Sequence, residues 1–159
     1  GGGGGGMKRV ETTNVDLYDK EWGRIADAIC DSYMGSSPPS SSSITTVKGD
    51  LREPLSSNPP VYKEVLRADV VFFAFVCHEN AEELVEEGWE KLRRNTGITG
   101  VLDTCKVGSV VVFTDSGNRM WGAVYDYAVS RGWRGCKRDA NGGYRVQMGP
   151  KGYVVMMRE

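Results

Sequence analysis

Four short polar stretches in this 159-residue chain each follow an apolar run and carry side chains able to do chemistry. The first is Val15-Asp16-Leu17-Tyr18-Asp19. A carboxylate presents two oxygens side by side, so Asp16 can accept both hydroxyls of a ribose; an exposed turn with a helix cap is the plainer alternative. The second is Gly49-Asp50. Glycine lets the backbone approach a flat ligand, and the Asp50 carboxylate can accept from an exocyclic amine, although a simple turn uses the same pair. The third, Phe75-Val76-Cys77-His78-Glu79-Asn80, is the densest polar cluster beside an apolar run. His78 is the single histidine, which leaves few other candidates for a general base at neutral pH. Neighbours in an extended chain point to opposite faces, so the spacing argues against a Cys77–His78 thiolate pair. Glu79 and Asn80 either cap the next helix or hold a substrate. The fourth is Asp115-Ser116-Gly117.

The elements that must position these stretches alternate between strand and helix. Val10–Val15 reads as a strand ending in Asp16. Lys20–Tyr33 reads as a helix, with Trp22, Ile25, Ala26, Ile29, Cys30 and Tyr33 on one stripe. Gly35–Ser43 is Ser/Pro-rich and cannot build a core, so it reads as a mobile loop. Ile44–Val47 is the next strand, Arg52–Pro60 is mostly irregular, and Val61–Arg67 is a short helix. The near-continuous apolar run Val70–Cys77 has the character of a strand covered on both faces. A helix over Ala81–Arg94 follows, capped by Asn80, with Trp89 on its core stripe and Glu82, Glu83, Glu86 and Glu87 facing water. Asn95–Gly108 reads as a loop or short helical turn, Val110–Thr114 as a buried strand, and Arg119–Arg131 as a helix burying Trp121, Val124, Tyr125 and Ala128. Tyr144–Met148 and Tyr153–Met157, joined by Gly149-Pro150-Lys151-Gly152, read as a closing hairpin. This order predicts an α/β fold with a mostly parallel sheet and helices on both faces. Ligands in such sheets sit beyond the carboxyl ends of the strands, where all four polar stretches fall.

Composition narrows the classes. The first six residues are glycines and read as a tag or linker; the rest, residues 7–159, suits one domain. Twenty basic residues against 21 acidic ones give a net charge of −1, so no charge excess drives general binding to nucleic acid or anionic membranes. No apolar run approaches the roughly 20 residues that span a bilayer. Four scattered cysteines, without a Cys-x-x-Cys pair, read as reduced thiols of an intracellular protein, cytoplasmic or nuclear. A single histidine argues against a zinc site built on several.

Taken together, the strand ends resemble those of the class I S-adenosylmethionine-dependent methyltransferases, which have a Rossmann-like sheet. The family's second strand ends in a ribose-binding acid, matched by Asp16 with Leu17 beside it. Its third often ends in Gly-Asp near the adenine amine, matched by Gly49-Asp50-Leu51. Its fourth runs from an acid through apolar residues to a polar turn facing the methyl acceptor. Ala68-Asp69-Val70 through Phe75-Val76-Cys77-His78-Glu79-Asn80 matches that pattern. Its fifth follows a glycine, as Gly108-Ser109-Val110-Val111-Val112-Phe113-Thr114-Asp115 does, and an antiparallel hairpin ends the domain. The resemblance implies S-adenosyl-L-methionine at Asp16, Leu17, Gly49, Asp50, Leu51, Phe75 and Val76, and an acceptor held by His78, Glu79 and Asn80. Asp16…Trp22 and His78-Glu79-Asn80 look most like a eukaryotic branch with ribosomal-RNA uridine methyltransferase-like proteins, which makes RNA one acceptor to consider beside protein and small molecules.

One departure organises the rest. The family's first strand, Gly-x-Gly loop and first helix should precede Val10, and Met7-Lys8-Arg9 leaves no room for them. The resemblance implies that this strand stands at the centre of the sheet, between the strands ending at Asp16 and Asn80. The expectation is therefore a split sheet, completed by a second chain or by an N-terminal segment of a longer one. Two functions compete: methyl transfer by part of a longer or split enzyme, and a non-catalytic methyltransferase-like binding or structural subunit. An unrelated nucleotide-binding or hydrolytic α/β domain is a third, without a Walker-type loop or Gly-x-Ser-x-Gly elbow to support it.

Overall fold

Valine and threonine recur through Val10–Asp16, and β-branched side chains suit a pleated strand. This strand, β1, pairs in parallel with β2, Ser42–Lys48, in a register that sets Val10 against Ser42 and Asp16 against Lys48. The computed structural model describes residues 10–16, 24, 28, 42–115, 119–135, 137, 138, 144, 145 and 153–159. The chain divides into two compact units, Gly1–Asp50 and Leu51–Glu159. Of the expected helix Lys20–Tyr33, only Arg24 and Ala28 are described, both helical and exposed; the rest lies outside the described residues, as does most of the Ser/Pro stretch. Ser42 and Ser43 belong to β2 rather than to that loop.

The second unit opens with a 3-10 turn at Leu55–Ser57 and a helix, α1, at Pro59–Arg67. The helix begins two residues before the expected Val61. Pro59 and Pro60 sit in its first turn, where a missing N–H leaves no hydrogen bond unmade. Val61 and Val65, four residues apart, form its buried stripe. Strand β3, Val70–Ala74, then pairs in parallel with β4, Val110–Thr114. Strand β8, Tyr153–Arg158, runs antiparallel to β4 and to β5, Trp133–Gly135, so the sheet order is β3-β4-β8-β5. The class is thus α/β, with parallel pairs and an antiparallel closing strand, as the residue pattern predicts. No ladder joins β1 to β3 among the described residues.

Two expectations about the end of the chain change. Tyr144–Arg145 (β7) pairs with Lys137–Arg138 (β6), not with β8. The strand β8 enters the sheet between β4 and β5 because its alternate residues Val154 and Met156 are apolar enough to be fully buried there. The expected Gly149–Gly152 turn lies outside the described residues.

The expected helix Ala81–Arg94 is the largest correction. Only Ala81–Leu84 (α2) is helical. Gly88 and Trp89 take positive φ values of 89° and 66°, Val85 bridges Leu92, and Arg93 N–H donates to Leu84 C=O. Five glutamates between Glu82 and Glu90 would face one another at spacings of three and four on a helix, each pair costing a few tenths of a kcal/mol. Gly88 adds about 1 kcal/mol against the helix and accepts the left-handed turn. Trp89 is only half-buried, with the Arg119 guanidinium 4.1 Å over its ring, so it is not a core residue.

The segment expected to be a loop contains α3, Gly97–Thr104, opened by a reciprocal pair. Thr96 N–H donates to Thr99 Oγ1, and Thr99 N–H donates to Thr96 Oγ1. Between them, α2 and α3 form the crossover that parallel strands β3 and β4 require. The last helix, α4, covers Trp121–Ser130 and buries Trp121, Ala123, Val124 and Ala128; Tyr125 is half-buried.

The core of this unit lies on one face of the sheet. Phe73 and Phe113 stack at 4.6 Å, and Trp121 tilts against Phe113 at 5.8 Å. Trp133 is buried with its Nε1–H donated to Leu102 C=O at 2.8 Å. Strand β3 is shorter than Val70–Cys77 and is not covered on both faces: Val70 and Phe72 are 60% and 59% exposed. Among the described residues it is the outermost strand of its four-stranded sheet, with β4 as its described neighbour. No described helix is long and apolar enough to cross a membrane.

Candidate functional site

Parallel pairing decides which strand ends lie together. In the first unit, Asp16 is the last residue of β1 and faces Lys48, the last of β2; Gly49 and Asp50 follow directly. The predicted ribose acid and the predicted adenine-side acid therefore share the carboxyl end of one two-stranded ladder. Gly49 is buried and Asp50 half-buried. Leu17 lies outside the described residues. Leu51 opens the second unit, where its C=O accepts from Gly97 N–H at 2.8 Å.

In the second unit, Ala74 faces Thr114, so the turn after β3 and Asp115 after β4 lie at the same end. The turn is held at three points. Phe75 has a φ of 56° and donates its N–H to Thr114 C=O at 2.8 Å. An aromatic residue in the left-handed region costs about 1–3 kcal/mol unless its surroundings impose it. His78 N–H donates to Asp115 Oδ2 at 2.7 Å, and Asn80 Nδ2–H donates to Val76 C=O at 2.7 Å. The side chains of Phe75, His78 and Glu79 are exposed, whereas Val76 and Asn80 are half-buried. Asn80 stands at the N-cap position of α2 but makes no cap bond, because its side-chain amide closes the turn instead.

Cys77 is fully buried beneath this turn. Burial first, and the Asp115 carboxylate second, push its thiol far above the ordinary value of 9.0. Only the thiolate is a nucleophile, so Cys77 is a packing residue. Cys105 is also a buried free thiol, pushed up to about 11 mainly by burial, with Arg158 opposing the shift. Among the described residues, no group of three His, Cys, Asp or Glu side chains could hold a metal ion.

Asp115 is the positioning residue that strand-end reasoning named without assigning a role. It is buried, and its carboxylate ties the β3 turn to the end of β4. The signal for it is an acid directly after an apolar strand, which marks a polar group that the fold must satisfy internally.

No protein-family model matches the chain, and no curated protein matches it. Among solved structures it is similar to a TehB-like SAM-dependent methyltransferase from Corynebacterium glutamicum ATCC 13032 Kitasato. Identity is 14%, 96% of this chain and 82% of that one are covered, and the TM-score is 0.47. It is also similar to a protein described as a pericyclic reaction enzyme, at 11% identity, 99% and 45% coverage and a TM-score of 0.44. The chain spans less than half of that second protein. At these levels neither likeness extends to family or activity.

Proposed function

We propose that the chain contributes to S-adenosyl-L-methionine-dependent methyl transfer, as part of a longer or split enzyme. One observation carries this reading: Asp16 and Gly49-Asp50 converge at the carboxyl end of one parallel ladder. That donor set fits the cofactor's nucleoside half, with Asp16 for the two ribose hydroxyls and Asp50 for the adenine amine. Leu17 is proposed as an apolar neighbour of the ribose; Leu51, Phe75 and Val76 are implied by the resemblance alone. When bound, the cofactor supplies an electrophilic methyl group on a sulfonium.

The chain's own part in the reaction is positioning. The pinned Phe75–Asn80 turn presents the exposed side chains of His78 and Glu79, with Glu79 orienting the acceptor and His78 taking a proton where the acceptor must lose one. Asn80 is proposed to act through the shape of the turn, since its amide is bonded to Val76 C=O. That same bond favours the second reading, a non-catalytic methyltransferase-like subunit, in which the turn is structural throughout. The contacts for the methionine end of the cofactor come from outside the described residues.

Calorimetry with S-adenosyl-L-homocysteine on the assembled protein tests the proposal. Asp16→Ala removes a two-oxygen charged acceptor, and hydrogen bonds to charged groups contribute about 1.5–3 kcal/mol. Affinity should fall at least about tenfold, at about 1.4 kcal/mol per decade. Unchanged affinity removes Asp16 from the site. Binding without methyl transfer to RNA, protein or small-molecule pools selects the non-catalytic subunit, and RNA is the first pool to offer because of the branch resemblance.

A further inference from the structure

Two arginines among the described residues lie over aromatic rings, and they differ in what their N–H groups meet. The Arg131 guanidinium stands 5.1 Å from the Tyr127 centroid. Its Nη2–H donates to the Tyr127 hydroxyl at 3.3 Å, and its Nε lies 3.0 Å from Asp103 Oδ1. That stack comes with its acid, and the three side chains tie α4 to α3. The Arg119 guanidinium stands closer, 4.1 Å over the Trp89 ring. Among the described residues it belongs to no ion pair and no side-chain hydrogen bond. A guanidinium carries five N–H donors in its own plane, so a ring beneath it favours the charge and leaves the donors for an anion.

Trp89 holds that place against its own backbone preference. Its φ of 66° falls in the left-handed region, an outlier for a bulky side chain. The turn is pinned by Trp89 N–H to Glu86 C=O at 3.0 Å, by Glu86 N–H to Lys91 C=O at 2.8 Å and by the Val85–Leu92 bridge. Glycine or asparagine would take this φ with less strain, so the turn itself does not call for tryptophan. What the residue adds is the ring under Arg119. That ring fixes a long side chain in advance, which lowers the ordering cost for a ligand that bonds it.

Both partners leave the carboxyl end of the β3–β4 ladder. Arg119 follows Asp115 by four residues, which span at most about 14 Å, and Asp115 accepts the His78 N–H. Trp89 lies in the segment that runs on from the His78 turn through α2. The stacked guanidinium thus belongs to the loops around the turn proposed to present the acceptor. A donor fork without an acid, beside that turn, suits an anionic group on the acceptor. Six glutamates lie between Glu79 and Glu90, all exposed, with only Lys91, Arg93 and Arg94 to offset them in the same stretch. Such a field repels a polyanion and tolerates a single charge that Arg119 meets at close range. A carboxylate has that single charge and the two oxygens that match the fork.

We infer that Arg119, held over Trp89, binds the carboxylate of a small acceptor molecule, with Arg119 as a specificity residue and Trp89 as the positioning residue beneath it. This rests on the methyl-transfer reading above and adds the acceptor's chemical class to it.

The probe is benzoate, titrated into the full chain and followed by nuclear magnetic resonance at the Arg119 Nε–H and the Trp89 indole N–H. Both signals should shift saturably. Arg119→Lys keeps the charge and loses the fork; its affinity, read at Trp89, should fall at least about tenfold, the contribution of one charged hydrogen bond. Trp89→Leu, read at Arg119, should weaken binding about two- to tenfold, the ordering of one long side chain, and Trp89→Phe, which restores a ring, should recover most of it. Arg119 is exposed, so Arg119→Lys should unfold within a few degrees of wild type and decides the matter even if Trp89→Leu unfolds. No saturable shift with benzoate, or equal affinity in wild type and Arg119→Lys, overturns the assignment. Tighter binding of phenyl phosphate or of a short single-stranded RNA at the same two signals also overturns it, since phosphate would then be the group recognised. Trp89→Phe as weak as Trp89→Leu removes Trp89 as the positioning residue. Benzoate needs no cofactor, so a failure here leaves the Asp16 reading standing, and unchanged cofactor affinity in Asp16→Ala leaves the Arg119 site standing.

Discussion

Replacing Asp115 by alanine should loosen the turn that carries His78, Glu79 and Asn80. Asp115 is 4% exposed, and its carboxylate accepts the His78 N–H at 2.7 Å, a short charge-assisted bond between the ends of β3 and β4. Such bonds contribute about 1.5–3 kcal/mol. The His78 side chain is exposed, so water can reach the freed N–H and the loss falls in the lower half of that range. At about 2–4 °C per kcal/mol for a chain of this size, the midpoint should drop by roughly 3–9 °C. Asp115→Asn keeps an acceptor in place and should lose about half as much. Thermal unfolding followed by circular dichroism reads the stability, and hydrogen exchange over Cys77–Asn80 reads the turn. Exchange should accelerate in Asp115→Ala more than in Asp115→Asn. A midpoint equal to wild type with unchanged exchange in Asp115→Ala would refute the assignment of Asp115 as the anchor of the turn.

Two glycines in helices should respond oppositely to alanine. A Cβ on Gly100 would stand 2.4 Å from the Leu55 Cβ, which is fixed to its backbone, whereas a Cβ on Gly122 meets nothing within 4 Å. Gly122→Ala should raise stability by about 0.5–1 kcal/mol in urea unfolding, and Gly100→Ala should lower it by about 1–2 kcal/mol as overpacking outweighs propensity. The buried thiols predict alkaline lability. The unfolded chain releases thiol protons near pH 9 while the folded chain keeps them, so stability is unaffected below about pH 8 and falls as pH rises above 9. The part from Cys105 levels off beyond about pH 11, while Cys77 contributes a slope of about 1.4 kcal/mol per pH unit. Urea unfolding of Cys77→Ala between pH 8 and 10.5 should show a shallower decline than wild type; parallel declines would contradict a protonated Cys77 in the folded state.

Local pattern in the sequence was enough for the elements whose period or chemistry is their own. The apolar runs at Val70–Ala74 and Val110–Thr114 are strands, Val61 and Val65 mark a helix stripe, and Trp121, Val124 and Ala128 mark another. Asp16 at a strand end was legible in the same way, because an acid after a β-branched run changes hydropathy abruptly. Tertiary structure decided the rest. The Ala81–Arg94 stretch has a helical apolar period, yet like charges and Gly88 outweigh it, and α3 instead takes its start from the Thr96–Thr99 bonds and from glycines that admit Leu51 and Leu55. Whether an apolar strand is central or marginal is not written in its own residues, since burial depends on what else packs there; β3 reads as central and is outermost among the described strands of its sheet. The placing of Asp16 at the same ladder end as Gly49-Asp50, and of the His78 turn at the same end as Asp115, likewise comes from parallel register across dozens of residues. Sequence places each polar stretch after a strand, but only the ladders determine which strand ends meet, because hydrogen-bonded pairing is non-local and a strand's own side chains leave its neighbour unspecified.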